Sequence, residues 1–170
     1  MKNNLIISDT GPIISLALID CLYILKNLFE NIFIPKAVWN ELTENESVPN
    51  LDKIKPFFQS RVKSISGVNK LNAVMDLGES EAVILFKEQQ ADILLVDDKK
   101  ARDIAESLSI KCVGTIGLLA FAKEQGLVQE LRPLFVKLLL NKRFYSISLL
   151  NAILIKYEEA PFKTPPQRTS

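Results

Sequence analysis

Acidic residues lie where two predicted elements begin or end, and carboxylates gathered in this way could bind a divalent cation. Asp97 and Asp98 directly follow the predicted strand Ile93–Val96, and Glu79 and Glu81 lie in the first turn of the preceding helix. An open α/β sheet places its ligand crevice at the carboxyl ends of its strands. Each acid also has a structural explanation, because Asp after a strand often caps a helix and Glu in a first turn often interacts with the helix dipole.

Two further acids extend this pattern. Asp9 follows the predicted strand Leu5–Ile7, although Ser8, Asp9 and Thr10 are each suited to capping the next helix. Glu41 lies on a later helix at the border of its buried stripe, where a solvated position is the alternative. Right-handed crossovers would bring the strand ends and these acids to one edge of a sheet. Oxygen ligands of this kind suit Mg²⁺ or Mn²⁺.

The chain contains no histidine. This excludes Ser-His-Asp and Cys-His nucleophile systems and removes the usual imidazole base and the common zinc ligand. Cys21 and Cys112 have no paired spacing, so neither a disulfide nor a zinc site is expected. Any catalysis would therefore depend on carboxylates, a metal ion or lysine.

Short apolar strands alternate with amphipathic helices along the chain. This pattern predicts an α/β fold, a three-layer sandwich with a mainly parallel central sheet flanked by helices. The four main strands are expected near Leu5, Ile32, Ile93 and Lys111. The stretch Arg61–Ile65 is a candidate edge strand, and the polar stretch 45–56 predicts a loop with a short helix. Thr115 follows the last strand, where its hydroxyl is either a helix cap or a polar group facing the same crevice.

Length and composition favour one domain. The chain has 170 residues, of which 48% are hydrophobic, and this is enough for one buried core. We therefore expect a single domain over residues 1–159. Residues 160–170 contain three prolines and no periodic pattern, so they are expected to form a disordered tail.

Charge and hydropathy bear on the compartment. The net charge of +1 gives no electrostatic indication of a nucleic-acid partner. No apolar run approaches the roughly 20 residues that span a bilayer, so no membrane insertion is expected. The apolar stretch Ile13–Leu18 lacks the basic leader of a signal peptide, and the cytoplasm is therefore the expected location.

The last helices have broad apolar faces. The runs FVKLLL at 135–140 and LLNAILI at 149–155 are more apolar than the edge of a small domain requires. Part of this surface is therefore expected to bind a second copy of the chain or another protein.

Five segments in this order resemble the PIN-domain ribonucleases, especially their compact prokaryotic members of the VapC-like toxin kind. The resemblance spans Leu5 to Ile155. The segments that carry it are ISDTGPIISLA at 7–17, IPKAVWNEL at 34–42, LGESEAVIL at 77–85, LLVDDKKAR at 94–102 and VGTIGLL at 113–119.

The resemblance implies a set of site residues. The acidic quartet of the family would fall on Asp9, Glu41, Glu81 and Asp97, with Thr10 and Thr115 supporting them. Glu79 competes with Glu81 and Asp98 with Asp97 as metal ligands, because neighbouring side chains on a helix point apart; Glu81 is the expected ligand of its pair. Weaker candidates for binding the RNA phosphates are Lys99, Lys100 and Arg102.

The implied activity is that of a Mg²⁺- or Mn²⁺-dependent endoribonuclease that cleaves single-stranded or looped RNA. The protein would then be the toxin of a toxin–antitoxin pair, held inactive by an antitoxin protein. The main alternative is a catalytically inactive PIN-like protein that acts through its C-terminal helices.

Two other classes fit less well. An aspartyl-nucleophile phosphatase would need a second Asp two residues after Asp9, where this chain has Gly11. A phospho-acceptor receiver domain would have its acid pair after the first strand, whereas Asp97 and Asp98 follow a late strand.

Overall fold

A computed structural model describes residues 4–163 of the chain. Within this range the strands form one five-stranded sheet in the order β3-β2-β1-β4-β5, and every neighbouring pair is parallel. Helices flank the sheet, so the predicted α/β fold with a parallel central sheet is confirmed. The strands are β1 Leu5–Ser8, β2 Asn31–Pro35, β3 Val62–Lys63, β4 Ile93–Leu95 and β5 Cys112–Val113.

The helices of the described residues alternate with these strands and then continue without further strands as far as Lys156. A short 3₁₀ helix, Lys70–Ala73, precedes the fifth α-helix. The α-helices are α1 Thr10–Leu18, α2 Tyr23–Leu28, α3 Lys36–Glu44, α4 Leu51–Phe58, α5 Leu77–Glu88, α6 Lys99–Ser107, α7 Thr115–Glu124, α8 Arg132–Leu140 and α9 Ile147–Lys156. None of the helices within residues 4–163 has the length and apolar character needed to cross a bilayer.

The central strand is buried on both faces. All four residues of β1 are buried, as expected for a parallel strand covered by helices on each side. Ile7 packs in one hydrophobic cluster with Leu85 of α5 and with Leu94 of β4. This packing fixes the strand ends from which the acids extend.

The structure differs from the sequence-based boundaries mainly at the sheet edge. The candidate strand Arg61–Ile65 is only Val62–Lys63, and its register pairs Ile34 with Val62. The helix in the polar stretch extends to Phe58, with Pro56 inside it. Edge strands gain hydrogen bonds from one neighbour only, so their ends are the least determined by local sequence.

The chain divides into two compact units, residues 1–118 and 119–170. The first contains the whole sheet with its acids, and the second contains α8 and α9. The expectation of a single domain over residues 1–159 stays a prediction.

In the second unit, the Glu159 carboxylate binds the beginning of α8. Its Oε1 accepts a hydrogen bond from the Leu131 backbone N–H at 2.8 Å, and its Oε2 accepts one from Arg132 N–H at 2.7 Å. Lys123 Nζ lies 2.7 Å from Oε1 and completes an ion pair. The carboxylate therefore satisfies backbone donors that have no partner inside the helix.

The expected disordered tail at 160–170 lies largely outside the described residues. Of its first four residues, Ala160 accepts a hydrogen bond from Arg132 Nε, and Phe162 exchanges two with the Asn151 side chain. Residues 164–170 are not among those that the structure describes.

Candidate acidic site

The ends of β1, β4 and β5 lie side by side. The register pairs Ser8 with Leu95 and Leu95 with Val113, and these are the last residues of the three strands. Asp9 follows directly on β1, Asp97 comes two residues after β4, and Thr115 comes two residues after β5. The sheet order thus brings together the acids and the hydroxyl that follow three separate strands.

Asp9 is a buried carboxylate with an unsatisfied oxygen. Its residue surface is 7% exposed, and its Oδ1 has no hydrogen-bond partner in the described part of the chain. Burial raises the pKa of Asp9 from 3.8 to about 7, although the Thr10 backbone N–H acts in the opposite direction. The negative charges of Glu79, Glu41 and Asp97 raise this pKa further. Such a carboxylate would be stabilised by a cation.

Asp97 is held in one orientation by Thr115. Its Oδ1 accepts a hydrogen bond from the Thr115 backbone N–H at 2.7 Å, and its Oδ2 accepts one from the Thr115 hydroxyl, also at 2.7 Å. Thr115 is fully buried at the start of α7. Its side chain therefore faces the crevice and contacts an acid, which is one of the two roles that the sequence left open.

Glu41 connects three elements at the rim of the site. Its Oε2 accepts a hydrogen bond from Thr10 Oγ1 at 2.6 Å, and its Oε1 accepts one from the Gly78 backbone N–H at 3.1 Å. A Cβ atom at position 78 would overlap the Glu41 carboxylate. The sequence alone did not indicate this role of Gly78. The available signal was a glycine immediately before the acids at the start of a helix.

Glu79 and Glu81 face different partners. Burial raises the pKa of Glu79, and the nearby charges of Asp98, Asp76 and Glu41 add to this while the Asp76 backbone N–H opposes it. Glu81 instead accepts a hydrogen bond from the Ala37 backbone N–H at 2.9 Å, at the beginning of α3. Glu79 therefore lies within electrostatic reach of Asp9, whereas one Glu81 oxygen binds the start of α3.

The residues after Asp97 also separate into different environments. Asp98 caps α6, because its Oδ1 accepts a hydrogen bond from Ala101 N–H at 2.8 Å. Lys99 forms an exposed ion pair with Asp103 at 2.7 Å.

Arg102 is half-buried behind the acids and is not a free surface cation. Its Nη2 donates to the Val96 carbonyl at 3.1 Å, and its Nε has no hydrogen-bond partner among the described residues. A Cβ atom at Gly114 would meet both Arg102 Nη2 and Asp97 Oδ1, so the guanidinium lies close to Asp97.

Comparison with known proteins identifies the family of the chain. A PIN-domain family model matches residues 5–159, which is most of its length. The chain belongs to the PIN-domain family. PIN domains are usually nucleases and generally use divalent metal ions. No curated protein matches the chain.

The donor set of this PIN domain fits a hard divalent cation held by few protein ligands. No group of three acidic or sulfur ligands lies close enough to hold a metal ion within residues 4–163. Mg²⁺, however, usually keeps several waters and is bound through one or two carboxylates. The unpartnered Oδ1 of buried Asp9 would supply one such ligand, and Asp97 follows the end of the adjacent strand.

Proposed function

We propose that this PIN domain is an endoribonuclease that depends on Mg²⁺ or Mn²⁺. The observation that carries the proposal is the buried Asp9 carboxylate, whose Oδ1 has no partner in the described chain while three other acids raise its pKa. A cluster of like charges in a crevice is unfavourable without a cation, and it is the usual environment for divalent-metal phosphoryl chemistry.

The residues have distinct roles in this proposal. Asp9 and Asp97 would hold the cation, and Thr115 keeps the Asp97 carboxylate in position through two hydrogen bonds. When bound, the cation would stabilise negative charge on the phosphodiester and favour ionisation of water. Glu79 would accept a proton from the attacking water, since its raised pKa makes it a stronger base than an exposed carboxylate. Glu41 would hold Thr10 and the start of α5 around the site.

The test is cleavage of a labelled unstructured RNA in Mg²⁺, in Mn²⁺ and in chelator. We expect activity only with a cation, and we expect Asp97→Asn to reduce it by orders of magnitude because one negative ligand is lost at constant volume. Asp52→Asn, at an exposed aspartate in α4, is the matched control and should keep full activity. Undiminished cleavage in chelator would exclude this mechanism.

A second candidate is a PIN-like binding protein without catalysis. It is favoured by the observation that both carboxylate oxygens of Glu41 and of Asp97 already accept hydrogen bonds from the protein. Calorimetry with Mn²⁺ separates the two functions. Saturable heat that is lost in Asp9→Asn supports the nuclease, and the absence of heat from the wild type supports the binding protein.

The finer proposal is a cytoplasmic toxin whose C-terminal unit binds an antitoxin or a second copy of the chain. Large apolar side chains are exposed there, among them Leu140 at 77%, Phe144 at 77% and Ile155 at 62%. Exposed apolar groups of this size favour protein contacts. Light scattering and co-purification with the product of a neighbouring gene test this. A monomer at every concentration, together with unaffected growth on expression, would contradict it.

A further inference from the structure

A groove of about 420 Å³ lies beside the acidic site and shares Glu79 with it. Glu79 and Asp98 contribute to its wall, so it opens next to the position where a scissile phosphate would lie. Its volume is in the range of small-molecule pockets.

Part of the groove lining is apolar and belongs to the hydrophobic core, and we call this part the floor of the groove. Met75 and Ala101 line it, and both are buried members of one hydrophobic cluster. Ile104 of α6 is packed against the same cluster and also lines the groove. A flat aromatic ring placed on this floor would lose water from its face without disturbing the core.

The polar lining is rich in hydrogen-bond acceptors. Asp76 stands at the start of α5 and contributes carboxylate oxygens, and Asn72 contributes an amide oxygen as well as donors. Together with Glu79 and Asp98, these groups would accept hydrogen bonds from amino groups. Uracil presents two carbonyl oxygens and one ring N–H but no amino group, so it would offer fewer N–H donors to these acceptors than adenine or cytosine. Lys100 is the cation of the lining and is exposed.

We propose that this groove binds an unpaired RNA base that carries an exocyclic amino group, next to the cleaved phosphodiester. The inference rests on the proposed function for the position of the cut but not for the binding of the base. Asp76 and Asn72 read the amino edge, Met75 and Ala101 support the ring, and Lys100 contacts a neighbouring phosphate. Unpaired bases offer their edges for this kind of recognition.

The first test uses neutral nucleosides in chelator, so that neither catalysis nor phosphate charge contributes. Amide signals of residues 72–76 and of Ala101 are followed by NMR during titration with adenosine, cytidine or uridine. We expect saturable shifts with adenosine and cytidine. Uridine should bind at least about fivefold more weakly, because one well-made base contact discriminates between bases by at least this factor. Equal binding of all three, or no shift with any, would overturn the proposal.

Asp76→Asn is the informative variant. Asp76 and Glu79 form a capping box at the start of α5. Because asparagine also caps a helix well, this end of α5 should remain intact. It removes a charged acceptor, so the preference over uridine should fall below about twofold. Asp52→Asn is the control and should keep the preference. A preference that is unchanged in Asp76→Asn and in Asn72→Ala would also overturn the proposal.

A second readout separates this inference from the proposed function. Hydrolysis of bis(p-nitrophenyl) phosphate in Mn²⁺ needs the acids but no base, whereas cleavage of an oligouridylate with one inserted adenosine or cytidine needs both. Cleavage beside the inserted base supports the groove. Hydrolysis of the small ester with RNA cleaved equally at every position overturns the groove and leaves the nuclease intact. If neither substrate reacts, the proposed nuclease function is wrong. The NMR titration alone then tests whether the groove binds a base.

Discussion

The chemistry of the site is concentrated in the Asp9 side chain, which is buried without a partner for one oxygen. Its pKa is raised from 3.8 to about 7, chiefly by burial. A carboxyl group with a raised folded pKa binds its proton more tightly when folded than when unfolded. Its contribution to stability is therefore complete below about pH 4 and is lost as the pH rises to about 7.

We predict that Asp9→Asn stabilises the metal-free protein above pH 7. Asparagine removes the buried charge. A pKa difference of about three units between the folded and unfolded states corresponds to about 4 kcal/mol of stability. Thermal melting in chelator at pH 8 and at pH 4.5 measures this, and the gain should shrink strongly at the lower pH. Equal or lower stability of Asp9→Asn at pH 8 would show that the buried charge of Asp9 does not destabilise the metal-free protein.

Glu79 and Glu81 provide a second prediction at the same scale. The family resemblance assigns the catalytic role to Glu81, but Glu81 binds Ala37 N–H while Glu79 lies among the acids. We predict that Glu79→Gln lowers RNA cleavage by orders of magnitude. Glu81→Gln should keep most of the activity, because glutamine retains an oxygen that can accept from Ala37 N–H.

Both variants should be compared at equal folded concentration, with melting as the check. An inactive Glu81→Gln that melts like the wild type would return the catalytic role to Glu81.

At the scale of elements, α3 and α5 cap each other. Glu41 of α3 accepts a hydrogen bond from the second residue of α5, and Glu81 of α5 accepts one from the second residue of α3. Each carboxylate satisfies a backbone donor that the helix cannot satisfy itself and lies at the positive end of the helix dipole. This pair of contacts fixes the rotation of α5 and hence the direction in which Glu79 points.

Gly78→Ala tests this arrangement. The new methyl group would overlap the Glu41 carboxylate, which must then leave Gly78 N–H and Thr10. Because Glu41 is an exposed, flexible side chain, we predict a loss of stability of only about 1 kcal/mol. RNA cleavage should fall as far as it does in Glu41→Gln. Chemical denaturation and cleavage rates measure both effects.

The control for this change is Gly67→Ala, because position 67 has no atom within 4 Å of the added carbon. Full activity of Gly78→Ala beside an inactive Glu41→Gln would show that the position of Glu41 at α5 does not matter for the reaction.

At the scale of the whole molecule, metal binding should be visible as stability. A ligand that binds only the folded chain adds about 2.7 kcal/mol at a hundredfold excess over its dissociation constant. For a chain of this size we predict a rise in Tm of roughly 5–10 °C in Mn²⁺. Asp9→Asn and Asp97→Asn should lose this rise, and Asp52→Asn should keep it. An unchanged wild-type Tm at millimolar Mn²⁺ would contradict a metal site at these acids.

The amino-acid sequence by itself determined the class of fold and the two aspartates at the strand ends. Strands that are apolar throughout belong to buried parallel sheets, and parallel strands bring their carboxyl ends to one edge whatever the loops do. Their positions after the strands therefore predicted that Asp9, Asp97 and Thr115 lie at one edge of the sheet. The structure brings these three residues together.

Only the tertiary structure decided that Glu79 lies within electrostatic reach of Asp9, and it also created the groove. Glu79 and Glu81 are two residues apart on one helix, and the rotation of that helix depends on its packing against α3, to which distant residues contribute. The capping of α6 by Asp98 is different, because Ala101 N–H lies only three residues away and the contact is local. The groove arises where Asn72 and Met75 meet Lys100 and Ile104, and no local pattern encodes the space between segments that are distant in sequence.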